Sequence, residues 1–190
     1  MLAWLGLALG AYLFGSIPFA YLLVSMFSGK DIRNEGTGNV GAMNAFDVTG
    51  SKALGIAVMI LDAFKGVVAV LAAKDLFDAN DYAMQLATLS ATLGHCYPIW
   101  LKFRGGRGLA TAAGATLMFV PSVFVAWCVV WSLAWLYSKR LHFCNISATI
   151  SLLLIEPIFL PVNFYPFLVL LVGLVLLRHR DVMKTAFKGG

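Results

Sequence analysis

The residues best suited to chemistry begin with a glycine-rich loop, Asp31 to Asn44. It contains a G-x-G-x-x-G spacing formed by Gly36, Gly38 and Gly41. A dinucleotide site would need a preceding strand, whereas an apolar helical pattern precedes this loop. Glycine-rich backbone can still turn its N–H groups inward and bind an anion. A flexible polar connector is the alternative. The candidate phosphate ligands are Thr37, Gly38, Asn39 and Asn44.

A second unusual loop runs from 94 to 108, between two apolar segments. Its basic residues stand beside glycines, and guanidinium groups bind phosphate in a bidentate manner. A helix predicted to begin near Gly108 would add its N-terminal amides to the same anion site. A turn with membrane-anchoring charges is the alternative. The candidate ligands are Arg104, Gly105, Gly106 and Arg107.

Two charged residues, Asp62 and Lys65, lie inside the apolar run from 58 to 71. Charges at membrane depth are costly, so they are usually paired or functional. Their i, i+3 spacing places both on one helix face. One interpretation is a structural ion pair; the other is that Lys65 reaches an anionic substrate while Asp62 orients it. Gly66 would let a neighbouring helix approach closely.

Two histidines complete the candidate set. His95 ends the third apolar segment and is either structural or catalytic, while His179 lies in a basic cluster that can also serve as a membrane anchor. The chain lacks an H-x4-D dyad, a G-x-S-x-G elbow, an H-E-x-x-H site and a P-loop. Catalysis would therefore depend on positioning and charge stabilisation. No spacing indicates a metal site, and no cofactor is expected.

The amino-acid composition indicates the class of fold that must position these residues. Of the 190 residues, 61% are hydrophobic and 12% are charged, about half the roughly 25% of charged residues in a soluble domain. So small a soluble fold cannot bury this much apolar surface, so we expect an all-α, multi-pass membrane protein. The residues from 1 to 190 are expected to form one integral membrane domain.

Apolar runs of about 20 residues mark membrane spans. We expect helices near 2–27, 53–73, 82–100, 143–160 and 162–177. The apolar stretch 109–137 decides the number of spans, because a single helix of about 43 Å would exceed the roughly 30 Å hydrocarbon core. A break near Pro121 would give seven helices in total, and an unbroken helix would give six.

The distribution of positive charge favours seven helices with the N-terminus outside and the C-terminus in the cytoplasm. In that topology all 14 Lys and Arg residues except Lys65 and Lys74 face the cytoplasm, as the positive-inside rule expects. The net charge of +5 therefore reads as an orientation signal, and nucleic acid is not an expected partner.

The loops also carry a resemblance. The segments 36–44, 62–66 and 94–108, followed by Ala110, Thr111 and Gly114, resemble in this order the signature motifs of the bacterial acyl-phosphate-dependent glycerol-3-phosphate acyltransferases. The segments 15–19 and 178–180 are similar as well. Together these motifs cover essentially the whole chain.

The resemblance implies a seven-helix enzyme in the bacterial inner membrane, with its site at the cytoplasmic face. Its substrates would be acyl phosphate and glycerol 3-phosphate, and its product would be lysophosphatidic acid for phospholipid synthesis. Membrane lipids are further expected partners, and the oligomeric state stays open. By position, Lys65, His95, Arg104 and His179 would be catalytic, and the remaining loop residues listed above would bind phosphate.

Some positions depart from the family pattern. Thr37 stands where the family usually has Ser, and Arg104 and Arg107 stand where it has Lys. Asp47 replaces a usual Arg, and Val182 replaces a usual Asn. Two alternative functions therefore stay open: a transporter for organic phosphate or another anion, and an inactive relative that binds phospholipid.

Overall fold

The regular secondary structure of the described residues is entirely helical, with no β-strand among them. The computed structural model describes residues 1–187, apart from the side chains of Lys184 and Thr185. It contains the helices α1 (Leu2–Gly15), α2 (Phe19–Ser28), α3 (Ala42–Thr49), α4 (Lys52–Leu76), α5 (Asp81–Cys96), α6 (Leu109–Phe119), α7 (Pro121–Ser138), α8 (Leu141–Ile155), α9 (Tyr165–Arg178) and α10 (Arg180–Ala186). The chain divides into two compact units, Met1–Met118 and Phe119 onward. The expected single membrane domain stays a prediction.

Several helices have the length and composition of membrane spans. Four segments qualify on both counts: Leu2–Ser28, Lys52–Leu76, Pro121–Ser138 and Leu141–Ile158. The apolar helices Leu109–Phe119 and Val162–Arg178 are shorter. An all-helical fold with several candidate spans is thus confirmed, whereas the seven spans and the positions of the termini stay predictions.

The span expected near 2–27 agrees with the apolar segment Leu2–Ser28, but its helix is interrupted near Pro18, which was not predicted. α1 ends at Gly15 and α2 begins at Phe19. Proline has no N–H to donate and its ring clashes with the preceding turn, so the helix stops there. The Ser16 hydroxyl donates to the Leu13 carbonyl at 2.7 Å and covers one helix end. The interruption leaves the Ile17 carbonyl accessible to a side chain from another helix.

The apolar stretch 109–137 forms two helices, as the seven-helix prediction required. α6 ends at Phe119 and α7 begins at Pro121, with Val120 between them at φ −137° and ψ 76°. Pro121 occupies the first helical position, where its missing N–H costs nothing and its fixed φ suits the helix. The two-helix solution therefore follows from one proline and its neighbour.

Glycines set the helix spacing in the first unit. A Cβ at Gly66 would overlap the Thr111 carbonyl oxygen, and one at Gly114 would overlap the Ala63 backbone. α4 and α6 therefore pack backbone against backbone, which confirms the prediction made for Gly66 and is typical of membrane helices. A Cβ at Gly94 would likewise overlap the Tyr12 carbonyl oxygen, which brings α5 against α1.

The second unit is organised around polar pairs between α7 and α8. The Trp127 indole donates to the Thr149 hydroxyl at 3.1 Å, and the Trp131 indole donates to Asn145 Oδ1 at 2.7 Å. Glu156 is buried, and its Oε2 accepts a hydrogen bond from the Ser122 hydroxyl at 2.9 Å. The position of Glu156 beside Pro157 in the sequence does not reveal that its carboxyl group is buried next to Ser122, at the start of α7.

Candidate functional site

The centre of the first unit is a buried cluster of three titratable side chains. The Lys65 ammonium lies 2.9 Å from Asp62 Oδ1, and both side chains are almost fully buried. His95 Nδ1, from α5, lies 3.4 Å from the same Asp62 oxygen. The predicted pairing of Asp62 with Lys65 is confirmed. The bridge from Asp62 to His95 was not predicted, because the two residues belong to different helices.

The Lys65 ammonium has a further partner in the interruption of the first helix. It donates to the Ile17 carbonyl oxygen at 3.0 Å and lies 5.6 Å from the centroid of the Phe19 ring. A buried cation needs such partners to offset its lost hydration. Lys65 therefore ties α4 to the link between α1 and α2, and its bonds to Asp62 and Ile17 leave at most one ammonium hydrogen for a ligand.

The second loop folds directly onto this cluster. The Gly106 amide donates to the His95 carbonyl oxygen at 3.1 Å. A Cβ at Gly106 would overlap the His95 imidazole and come within 2.7 Å of the Val40 carbonyl oxygen. A Cβ at Gly105 would overlap the His95 carbonyl oxygen. Gly105 and Gly106 are thus needed for close approach, and Gly106 brings both loops to His95.

Strained backbone precedes Arg104. Lys102 and Phe103 are successive non-glycine residues with φ of 53° and 63°, a conformation that costs about 1–2 kcal/mol per residue. Loop hydrogen bonds compensate, since the Phe103 amide donates to the Pro98 carbonyl oxygen at 3.0 Å and the Arg104 amide to the Leu101 carbonyl oxygen at 3.2 Å. The side chain of Arg104 is exposed, and no carboxylate in the described part of the chain pairs with it.

The N-terminus of α6 lies beside the basic residues. Gly108, with φ of 86°, precedes α6, and the first-turn amides of a helix have no partner within it. Arg107 is half-buried in the same turn. The structure thus brings Arg104, Arg107 and the start of α6 into one loop, the arrangement that favours an anion.

The first loop has a different construction from the one expected. Asn44 is buried: its Oδ1 accepts from the Thr37 amide at 2.9 Å, and its Nδ2 donates to the carbonyls of Glu35 and Asn39 at 3.1 and 3.0 Å. The Gly38 amide donates to Glu35, and the Asn39 amide lies 3.4 Å from the Thr37 hydroxyl oxygen. The Thr37 and Gly38 amides are therefore used inside the loop, while the phosphate-binding role of the loop stays a prediction.

The roles of the first-loop residues divide accordingly. Asn44 stabilises the loop through its internal hydrogen bonds. The side chains of Thr37 and Asn39 lie nearer the surface of the loop and are the groups that can contact a phosphate. Gly38 has φ of 69°, which permits the turn. Their roles as substrate ligands stay predictions.

An ion pair lies at the start of the first loop. The Arg33 guanidinium donates to both oxygens of Asp31, with the Nη2 to Oδ2 distance at 2.6 Å. The hydrogen bond from Arg33 lowers the pKa of the Asp31 carboxyl, more than its slight burial raises it, and raises the pKa of the guanidinium. Both groups are therefore charged at neutral pH.

His179 belongs to the second unit and is described by itself. It is buried at the end of α9, and its Nδ1 lies 2.8 Å from the Val175 carbonyl oxygen. A carbonyl can only accept, so the imidazole carries a proton on Nδ1. Its predicted catalytic role stays a prediction.

Comparison with known proteins identifies the family of this chain. The family model described as glycerol-3-phosphate acyltransferase matches residues 5–189. The chain belongs to the glycerol-3-phosphate acyltransferase family. This confirms the resemblance inferred from the loops.

Individual members of the family match the sequence of this chain along nearly their whole length. The chain is 41% identical over 182 residues to a glycerol-3-phosphate acyltransferase of Pelagibacter ubique (strain HTCC1062), covering 93% of this chain and 90% of the relative. It is 36% identical over 188 residues to that of Aquifex aeolicus (strain VF5), covering 96% and 95%.

A solved structure has the same fold. It is the crystal structure of PlsY, an integral membrane glycerol 3-phosphate acyltransferase, in its glycerol 3-phosphate form, with a TM-score of 0.86 and 35% identity. The match covers 96% of this chain and 90% of PlsY. A second crystal structure of PlsY, in its lysophosphatidic acid form, matches this chain with a TM-score of 0.84. The membrane character inferred from composition agrees with this relative.

Proposed function

We propose that the protein transfers a fatty acyl group from acyl phosphate to the 1-hydroxyl of glycerol 3-phosphate, giving lysophosphatidic acid for phospholipid synthesis. The observation that carries the proposal is the stacking of the Arg104 loop on the buried Asp62, Lys65 and His95 cluster, in a chain that matches this family from end to end. We place the site at the cytoplasmic face of a bacterial inner membrane, in a seven-span topology with the N-terminus outside.

The reaction needs no nucleophile from the protein. Acyl phosphate is a mixed anhydride, so the glycerol hydroxyl oxygen attacks the acyl carbon directly. The new C–O bond forms as the bond between the acyl carbon and the phosphate oxygen breaks, and inorganic phosphate leaves with the electron pair. A phosphate oxygen of the substrate accepts the hydroxyl proton. Trapping a covalent acyl-enzyme from labelled acyl phosphate would disprove this route.

The protein contributes charge and alignment. Arg104 and Arg107 bind the phosphates and offset the negative charge that develops on the acyl oxygen and leaving group. Lys65 and Asp62 are buried and bonded to one another, so their part is to set the position and charge of His95, whose ring meets the loop at Gly106. Holding both substrates in line removes much of the entropic barrier.

A direct assay tests the proposal. Purified protein in detergent is incubated with acyl phosphate and labelled glycerol 3-phosphate, and labelled lysophosphatidic acid is measured. We expect Arg104→Ala to lower kcat/KM by about 100- to 1000-fold, the effect of losing one charge-stabilising donor. Lys102→Ala is the matched control, because Lys102 is an exposed cation in the same loop.

The outcomes separate the alternatives. A folded wild-type protein that binds glycerol 3-phosphate without turnover would be an inactive relative, in which the replacements at Asp47 and Val182 are the first positions to revert. Equal losses in Arg104→Ala and Lys102→Ala would mean that the loop attracts anions only through its general charge. Transport of a phosphate ester by proteoliposomes, without product, would point to a transporter.

A further inference from the structure

One face of α5 carries a row of buried polar residues. The row consists of Gln85, Thr88, Thr92 and His95, and its spacings of three, four and three residues place all four on the same side of the helix. Their exposed fractions are 7%, 0%, 0% and 7%. Burial of a polar side chain is costly without a hydrogen bond. Each member of the row therefore needs a partner inside the protein.

Two side chains of the row lack such a partner. The Thr88 hydroxyl donates to the Met84 carbonyl oxygen at 2.8 Å, the bond that a helical threonine commonly makes to the carbonyl four residues earlier. In contrast, Gln85 Nε2 and Thr92 Oγ1 are buried and have no hydrogen-bond partner in the described part of the chain. The two atoms are therefore available to a small ligand.

Small residues of α4 lie opposite the row. Asp62 of α4 meets His95 of α5, and the short link 77–80 between the two helices makes them antiparallel. Ala69 and Ala73 follow Asp62 on the same face of α4, about two and three turns further along. Both alanines are buried, at 4% and 0% exposed. Their short side chains leave space beside the longer polar side chains of α5.

These features fit a ligand that is small enough for a helix interface and that both donates and accepts hydrogen bonds. We propose that this face of α5 binds a file of internal water molecules, which extends from Gln85 past Thr92 to the buried cluster at His95. Internal waters typically make about three hydrogen bonds to buried groups that have no other partner. Gln85 and Thr92 are seven residues apart, about 10.5 Å along the helix, and about three waters at hydrogen-bond spacing span that distance.

The file hydrates the buried cluster along the length of α5. Burial of Asp62, Lys65 and His95 together removes three titratable groups from bulk water, and water beside His95 offsets part of that cost. The second loop reaches the cluster at the C-terminal end of α5, whereas the file reaches it from the N-terminal side. The inference is therefore separate from the proposed function, because it concerns what stabilises the cluster and not what the loops bind.

Contact with water can be measured directly in the wild-type protein. Isotope-labelled protein in lipid bilayers is studied by solid-state NMR, and magnetisation of the water protons is transferred to nearby groups. We expect Thr92 and the Gln85 side-chain amide to receive this magnetisation early. Ala91 is the matched reference, because it is equally buried at 0% but lies on the face of α5 that packs against Gly15 of α1. Transfer to Thr92 that is no faster than transfer to Ala91 would overturn the proposal.

A replacement of the same shape gives a thermodynamic test. Thr92→Val exchanges the hydroxyl for a methyl group, so a bound water loses a partner and we expect Tm to fall by about 2–4 °C. A dry hydroxyl would give the opposite sign, because removing an unsatisfied buried polar group stabilises the fold. Thr88→Val is the matched control, since the Thr88 hydroxyl bonds only to a carbonyl of its own helix, and we expect its Tm to stay close to that of the wild type.

Gln85→Leu tests whether the waters form a file. We expect Thr92 to lose its early transfer from water in this variant, because the waters between the two side chains lose a partner. Unchanged transfer would indicate an isolated water at Thr92 and overturn the file. A Tm that rises in Thr92→Val, or that falls equally in Thr92→Val and Thr88→Val, would overturn water as the partner of Thr92. None of these measurements involves product formation, so failure of the file and failure of the proposed function are distinguishable.

Discussion

Removing the negative charge of Asp62 should destabilise the first unit strongly. Asp62 and Lys65 have side chains only 3% and 1% exposed, and breaking a buried ion pair at one partner costs about 3–5 kcal/mol. Asn at position 62 still accepts a hydrogen bond, so we expect the low end, about 3 kcal/mol. For a chain of this size that corresponds to a fall in Tm of about 6–12 °C.

The same change should lower activity beyond its effect on folding. Asp62 is bonded to both Lys65 and His95, so Asp62→Asn leaves a buried ammonium without its counter-ion and changes the field at the imidazole. We expect kcat to fall at least tenfold at a temperature where the variant is fully folded. Thermal unfolding in detergent and product formation are measured on the same preparation.

A double variant separates a structural ion pair from a functional one. Asp62→Leu combined with Lys65→Met removes both buried charges, and such replacements often recover stability. We expect the double variant to unfold at a higher temperature than Asp62→Asn but to keep a kcat at least tenfold below that of the wild type. Recovery of both stability and activity would show that the pair only fixes the helices. An Asp62→Asn protein with the stability and activity of the wild type would refute the reasoning altogether.

Other predictions concern the loops. Asn44→Ala removes hydrogen bonds that stabilise the first loop, so we expect a loss of at least about 2 kcal/mol in the free energy of unfolding. The KM for glycerol 3-phosphate should also rise. An unchanged stability and an unchanged KM would argue against this role of Asn44. Gly106→Ala should abolish activity, because its Cβ would overlap the His95 ring; an active variant would contradict the close approach. The pair of Asp31 with Arg33 lowers the pKa of the carboxyl, so its contribution of about 0.2–1 kcal/mol is present above pH 4 and lost as the pH falls through the folded-state pKa. The Tm difference between wild type and Asp31→Asn should therefore vanish in acid, and a difference that persists there would contradict this assignment.

Local signals were sufficient for most of the long helices. Runs of apolar residues predicted the helices at 53–73 and 143–160 to within a few residues at most ends, and the break before Pro121 follows from proline chemistry. The same chemistry at Pro18 was overlooked, because the apolar run continues on both sides of it. The short helix α3 was also missed, since it lies within a loop rich in glycine and asparagine.

The residue types of the candidate site could likewise be read along the chain. Lone charges in an apolar helix and arginines among glycines are visible without a structure, and together they indicated an anion site. The internal use of the Thr37 and Gly38 amides could not be read in this way. A loop amide can face a ligand or an acceptor in its own loop, and only the folded path of the chain selects one.

By itself the sequence determined a helical membrane protein with glycine-rich loops between its apolar segments, because hydropathy and glycine content act over a few residues. The tertiary structure decided which groups meet. Asp62 reaches His95 from another helix, and Lys65 reaches Ile17 across the interrupted first helix. These contacts depend on helices that approach closely at glycines, a spacing that arises only when distant segments pack together.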